Sequence, residues 1–170
     1  VKILTNSLSS NDVSIVHAGY AKYRRALLRM GVELYELNMN LRKELKKNKK
    51  KGKFYQSKSS LHAKSFVIDR QKAFIGSLNL DPRSVVQNTE IGVIIESEDI
   101  ANQIGKFFDT YLDKLAFRLE LKTDEDGLEY IVWHGLVDAK QTTFGVEPYT
   151  SFWDRFSNGF MKLLPIESQL

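Results

Sequence analysis

LHAKSFVIDRQKAFIGSLN, residues 61–79, decides how this 170-residue chain folds. Its apolar runs on either side of the polar Asp69-Arg70-Gln71 predict two strands, at 61–68 and 72–78. Side chains alternate faces along a strand, so His62 and Lys64 point the same way, with Cα atoms about 6.5–7 Å apart. Ser77 and Asn79 share a face of the second strand by the same rule, and Gly76 lets a backbone or ligand come close. A histidine alone in a strand is most often a half-buried structural residue, and Asp69 alone would be a turn residue. Lys64 is harder to dismiss, because lysine is rarely aimed into an apolar strand environment without a partner or ligand. Asn79 and Lys64 together offer a neutral donor and a fixed cation, the pairing that phosphate oxygens require.

Upstream, VKILT at 1–5 reads as a strand and NSLSSND as a loop. Val13, Val16, Tyr20, Tyr23, Leu27 and Met30 then form a helical stripe that Gly31 ends. VELYEL at 32–37 is a strand, so the opening is a strand, helix, strand unit that predicts a parallel pair. RKELKKNKKKGK at 42–53 has too few apolar residues to pack and reads as an exposed loop. Downstream, EIGVIIE at 90–96 is apolar enough to be a central strand covered on both faces. Ile100, Ile104, Phe107, Tyr111 and Leu115 predict a helix covering one face, and LELK and LEYIVWH flank the turn signal DEDG as a hairpin. Ser151 with Asp154 resembles a capping box, and Phe152, Phe156, Phe160 and Leu163 form one helical face before Pro165, expected to pack on the domain. The fold class is α/β, a mixed and largely central sheet flanked by helices. A single domain over 1–170 is expected, with a Lys-rich loop at 42–53 and a C-terminal helical segment at about 150–164.

The chain has no cysteine, which excludes disulfides and cysteine-held metals. No apolar run approaches the roughly 20 residues that span a bilayer. The formal charge of +4 is local: residues 42–53 hold eight of the 25 basic side chains and one acid. What remains, seventeen basic against twenty acidic residues, argues against a protein that wraps nucleic acid over its whole surface. The sequence starts at Val1, inside a strand, which suggests a piece of a longer protein.

The spacing H-x-K-x4-D-x6-G-S-x-N, satisfied at every defined position between His62 and Asn79, resembles the signature of the phospholipase D superfamily. Glu90, 28 residues after His62, matches the acid that holds the motif histidine's ring in that family. The resemblance implies His62, Lys64, Asp69 and Glu90 as catalytic residues and Lys64, Ser77 and Asn79 as phosphate-binding ones, with Asp69 a buried organiser. It implies a phosphohistidine intermediate formed across two such motifs, charge neutralisation by lysine and asparagine, no metal and no cofactor. Neither His17 nor His134 starts a second match, so this chain holds half an active site. The other half is an N-terminal half with a second motif or a second copy in a homodimer.

LDPRS after the motif, followed by N-x-E-I, resembles the second motif of cardiolipin synthases. Asp81-Pro82 makes a helix cap and first turn, bringing Arg83 toward the anion site. NSLSSND, the helix and strand from His17 to Leu37, and the closing LLPIESQL resemble the C-type enzymes of enteric bacteria. Asn6 and Ser7 are candidates to line the same pocket. The implied function is transfer of a phosphatidyl group to phosphatidylglycerol, with phosphatidylethanolamine as donor. The implied place is peripheral, at the cytoplasmic side of the bacterial inner membrane. The Lys-rich run and the Phe152 face suit a membrane surface. The alternatives are a nuclease of the same superfamily, for which the basic run lacks interleaved aromatics, and a non-catalytic lipid-binding half-domain.

Overall fold

In the computed structural model, which describes residues 1–10, 14–38, 64–78 and 88–161, the elements group into two compact units, each taken by itself. The first opens with the expected crossover: β1 (Lys2–Thr5), α1 (Ser14–Arg29) and β2 (Glu33–Leu37), with β1 and β2 parallel and Ile3 opposite Leu34. Gly31, at φ +79°, ends α1 in a conformation that a Cβ would resist. Val32 N donates to Leu27 O (3.1 Å) and Gly31 N to Leu28 O (3.0 Å), the paired bonds of a Schellman motif. Leu27 and Val32, at the two ends of that motif, both pack against the core.

β6 (Ala116–Thr123), β7 (Glu129–Val137) and β8 (Lys140–Phe144) continue this sheet antiparallel, in the order β1-β2-β6-β7-β8. The DEDG turn joins β6 to β7 as expected: Asp124 Oδ1 accepts from Asp126 N (3.1 Å) and Leu128 N (2.8 Å). β8 was not expected. Its turn is Asp138-Ala139, both at positive φ, the geometry of a two-residue hairpin without the glycine that signals one. Leu34, Phe117, Leu119 and Trp133 form the core on one sheet face, with Leu27 and Leu28 of α1 packed against them.

Beside that core, on the same sheet face, lies a buried ionic cluster. The Arg24 guanidinium, 3% exposed, meets Glu36 at 2.7 Å, pairs with Glu147, and donates to His17 Nε2 at 2.7 Å. Trp133 Nε1 donates to Glu36 Oε2 at 3.0 Å. His134 is held elsewhere, its Nε2 donating to Glu120 (2.6 Å) and its Nδ1 lying 2.9 Å from the Thr143 hydroxyl.

The C-terminal helix α3 (Phe152–Met161) starts in the expected capping box. Ser151 N donates to Asp154 Oδ2 (2.8 Å), and Asp154 N donates to Ser151 Oγ (3.2 Å). Ser151→Ala in the full-length protein should lower stability by about 1 kcal/mol by urea unfolding, the usual worth of an N-cap. The Ser151 backbone N–H, then its hydroxyl, hold Asp154 below the usual carboxylate range. That contribution is present above the unfolded-state value and fades as pH falls through the folded one, so the Ser151→Ala deficit should shrink in acid. The aromatic face of α3 corrects the packing expectation: Phe152, Trp153 (71%), Phe156 and Phe160 are exposed. Leu163, also assigned to that face, lies outside the described residues.

The second unit is built on β3 (Lys64–Ile68), β4 (Lys72–Gly76) and β5 (Gly92–Glu96), antiparallel in that order. β5 therefore differs from the central strand expected of EIGVIIE: it lies at the edge of the described sheet, with Val93 and Ile94 exposed. α2 (Glu98–Leu115) begins at a Ser97 cap, Ile100 N donating to Ser97 Oγ at 3.4 Å, with Glu98 and Asp99 in its first turn and Lys114 in its last, as the helix dipole favours. Its buried residues are Ala101, Gly105 and Leu112, whereas Ile100, Phe107 and Tyr111 of the predicted stripe are each more than a third exposed.

Candidate active site

The β3–β4–β5 register sets one end of the second unit's sheet. Lys64 lies opposite Gly76, and Gly76 opposite Gly92, in a single row. The close approach expected at Gly76 is made by backbone and side chain together: a Cβ there would sit 2.6 Å from both Ile91 O and the Phe74 ring, and one on Gly92 would run into the same ring. Phe74 itself stacks on Phe66 with ring centroids 4.6 Å apart. Aromatic packing against two glycines thus occupies the sheet face that the half-buried Lys64 shares with Phe66 and Phe74.

Beyond that row Ser77 and Glu90 meet. Ser77 Oγ donates to Glu90 Oε2 at 2.6 Å and accepts from Ile91 N at 3.0 Å, while Ser77 N donates to Ile91 O at 2.8 Å. The structure so brings Lys64, Ser77 and Glu90 to the same end of three adjacent strands. His62, Asn79 and Arg83 lie outside the described residues, as does the Lys-rich run at 42–53.

Asp69 has a different placement from the buried organiser expected. It is exposed in the β3–β4 turn at φ +50°, followed by Arg70 at φ +59°, at the far end of β3 from Lys64. Aspartate tolerates that left-handed conformation better than most residues, which accounts for an acid at this point of the hairpin. Arg70 folds back onto α2 and pairs with Asp109 at 2.6 Å.

Asn6 and Ser7 belong to the first unit. Asn6 is half-buried at the end of β1, and Ser7 is buried, its hydroxyl donating to Leu37 O at 2.9 Å. Ser10 Oγ in turn donates to Ser7 O at 3.0 Å, so this serine pair ties the turn after β1 to the end of β2. Among the described residues no three acidic or histidine side chains converge as metal ligands would. No described helix is long and apolar enough to cross a membrane.

Comparison with known proteins finds relatives of this chain. The family described as "Cardiolipin synthase, PLD-like domain" matches residues 1–112. Cardiolipin synthase C of Escherichia coli K12 is 45% identical over 167 residues, covering 98% of this chain and 34% of that protein. An uncharacterized protein of Helicobacter pylori 26695 is 32% identical over 168 residues, 97% of this chain and 31% of its own length. Cardiolipin synthase A of Buchnera aphidicola is 39% identical over 62 residues, 36% of this chain and 13% of that protein. The chain thus spans about a third of the length of the first two of these relatives. No solved structure matches it significantly.

Proposed function

Because the chain belongs to the phospholipase D-like domain family of cardiolipin synthases, we propose that it supplies one of the two half-sites of a phosphatidyltransferase. The observation that carries this reading is the complete motif from His62 to Asn79 in a chain 45% identical, over nearly its whole length, to a cardiolipin synthase. The other half-site comes from an N-terminal half with a second motif, or from a second copy.

In this reading one histidine attacks the phosphorus of a donor phospholipid. The phosphorus–oxygen bond to the leaving alcohol breaks, and the second histidine gives that oxygen its proton. Phosphatidylglycerol then enters: its free hydroxyl loses a proton to the same acid/base histidine and attacks the phosphohistidine, which yields cardiolipin and restores the nucleophile. We assign His62 the acid/base role. Lys64 and Asn79 offset charge on the non-bridging oxygens, and Glu90 orients the His62 ring. The Ser77–Glu90 hydrogen bond, at the sheet end where Lys64 begins β3, supports this assignment. Membrane contact is peripheral, at the cytoplasmic side of the inner membrane. The exposed Phe152, Trp153, Phe156 and Phe160 support it, as does the basic run at 42–53.

The full-length protein, given vesicles of phosphatidylglycerol and phosphatidylethanolamine without added metal, should form cardiolipin detectable by mass spectrometry. Omitting phosphatidylethanolamine should lower the yield if it is the donor. Cleavage of DNA or RNA with no cardiolipin formed would overturn the lipid reading in favour of the nuclease one.

A further inference from the structure

The serine of the motif was expected to bind phosphate, and its hydrogen bonds argue otherwise. Phosphate oxygens at neutral pH chiefly accept, so a phosphate ligand must have a proton to offer, and a serine hydroxyl has one. At Ser77 that proton has two acceptors in reach, and Glu90 Oε2 at 2.6 Å, a length typical of a hydroxyl bonded to an ionised carboxylate, is much the nearer, Ile91 O lying 3.3 Å away. The hydroxyl oxygen meanwhile accepts from Ile91 N at 3.0 Å. In an antiparallel ladder that N–H would bond the backbone carbonyl opposite it; the Ser77 side chain takes that place, one step beyond the Gly76–Gly92 pair. Ser77 N to Ile91 O, at 2.8 Å, closes the same rung from the other side.

We propose that Ser77 is a positioning residue that locks the Glu90 carboxylate to the start of β5, rather than a ligand of the substrate phosphate. The proposal rests on the phosphodiester-transfer reading of this site. On that reading Glu90 is the acid that serves the motif histidine, and Ser77 fixes one of its oxygens. The identity at position 77 therefore acts on the reaction through Glu90. A hydroxyl is needed at the end of β4 because a backbone rung could satisfy Ile91 but could not also donate to the carboxylate.

The test is a double-mutant cycle in the full-length enzyme, read as kcat and KM for hydrolysis of bis(p-nitrophenyl) phosphate. Ser77→Ala should lower kcat about 10- to 100-fold with KM within about twofold, the usual scale for losing a partner that orients a site residue. Glu90→Gln should lower it at least as much. The Ser77→Ala/Glu90→Gln enzyme should be no slower than Glu90→Gln alone, and Ser77→Thr, which keeps the hydroxyl, should recover most of the rate. Thermal melting of each variant should match the parent, because Ser77 is exposed. Losses that multiply in the double variant, a Ser77→Ala defect carried by KM, or a Ser77→Ala or Glu90→Gln enzyme as fast as the parent would each overturn the proposal. Failure of the lipid reading is separate: a parent enzyme that cleaves this diester but forms no cardiolipin loses its assigned substrate, and the cycle still decides the role of Ser77.

Discussion

His62→Ala in the full-length protein should abolish cardiolipin formation while leaving the melting temperature within a degree or two of the parent. Acid/base catalysis by one positioned group contributes on the order of a hundredfold to ten-thousandfold. His62 is assigned to both half-reactions, protonating the leaving oxygen and then deprotonating the incoming hydroxyl, so the loss should lie at or beyond the top of that range. Lys64 cannot substitute, because its ammonium is assigned to the non-bridging phosphate oxygens, where it acts as a point charge. Labelled donor lipid separates the two roles open to a motif histidine. With His62 as acid/base, His62→Ala enzyme quenched in alkaline detergent, which preserves the acid-labile phosphorus–nitrogen bond, should still carry some covalent label on the other histidine. With His62 as nucleophile it should carry none. A variant keeping a tenth of the parent rate would remove His62 from the mechanism.

What the sequence revealed and what it hid divide along the range of the interactions involved. The β1–α1–β2 crossover, the Asp124–Gly127 turn and the Ser151 capping box are local: a 3.6-residue stripe, a turn dipeptide and a cap each act over a few residues. Helix α3 was legible for the same reason, but the burial of its aromatic face was not, since burial depends on what lies opposite. β5 was misplaced similarly. An apolar run such as EIGVIIE reads as central, and only the pairing partners decide that Gly92–Glu96 is an edge among the described strands. β8 escaped because Asp138-Ala139 takes the left-handed pair of a tight hairpin without a glycine to announce it.

At the site, the fixed spacing pointed to Lys64, Ser77 and Glu90, and the geometry adds which atom of Ser77 faces which of Glu90. Asp69 shows the limit of a motif, whose letters mark positions without saying whether each acts on chemistry or on a turn. The buried Arg24 cluster went unread, yet a signal was present. His17 and Arg24 stand seven residues apart, two helical turns, on the same side of α1 as Tyr20, where a purely apolar contact would carry neither. Nothing local says that the countercharges are Glu36 and Glu147, because Glu147 is 123 residues from Arg24 in the chain.

Arg24→Met should cost about 3–5 kcal/mol in the full-length protein, measured by urea unfolding followed by circular dichroism. Methionine replaces most of the volume, so packing loss is a minor part of the expected effect. The main cost is the loss of the one guanidinium that meets both Glu36 and Glu147 inside the first unit. Removing one member of a buried pair strands an ionised partner in low dielectric, which is why the cost exceeds the net worth of the intact pair. Burial would by itself lower the Arg24 value, but Glu36 and Glu147 outweigh it and hold the guanidinium firmly charged. Burial also pushes the Glu36 carboxyl above its usual range, with Arg24 and Trp133 pulling it back. Without Arg24 that upward push is less opposed. A raised folded-state value contributes stability below the unfolded-state value and loses it as pH rises through the folded one. The Arg24→Met deficit should therefore be larger at pH 8 than at pH 5, and adding Glu36→Gln should recover part of it at pH 8. Replacing Lys72, whose partner Glu96 is exposed, should by contrast barely move the transition. An Arg24→Met protein as stable as the parent at pH 8 would show that the cluster does not hold α1 to β2.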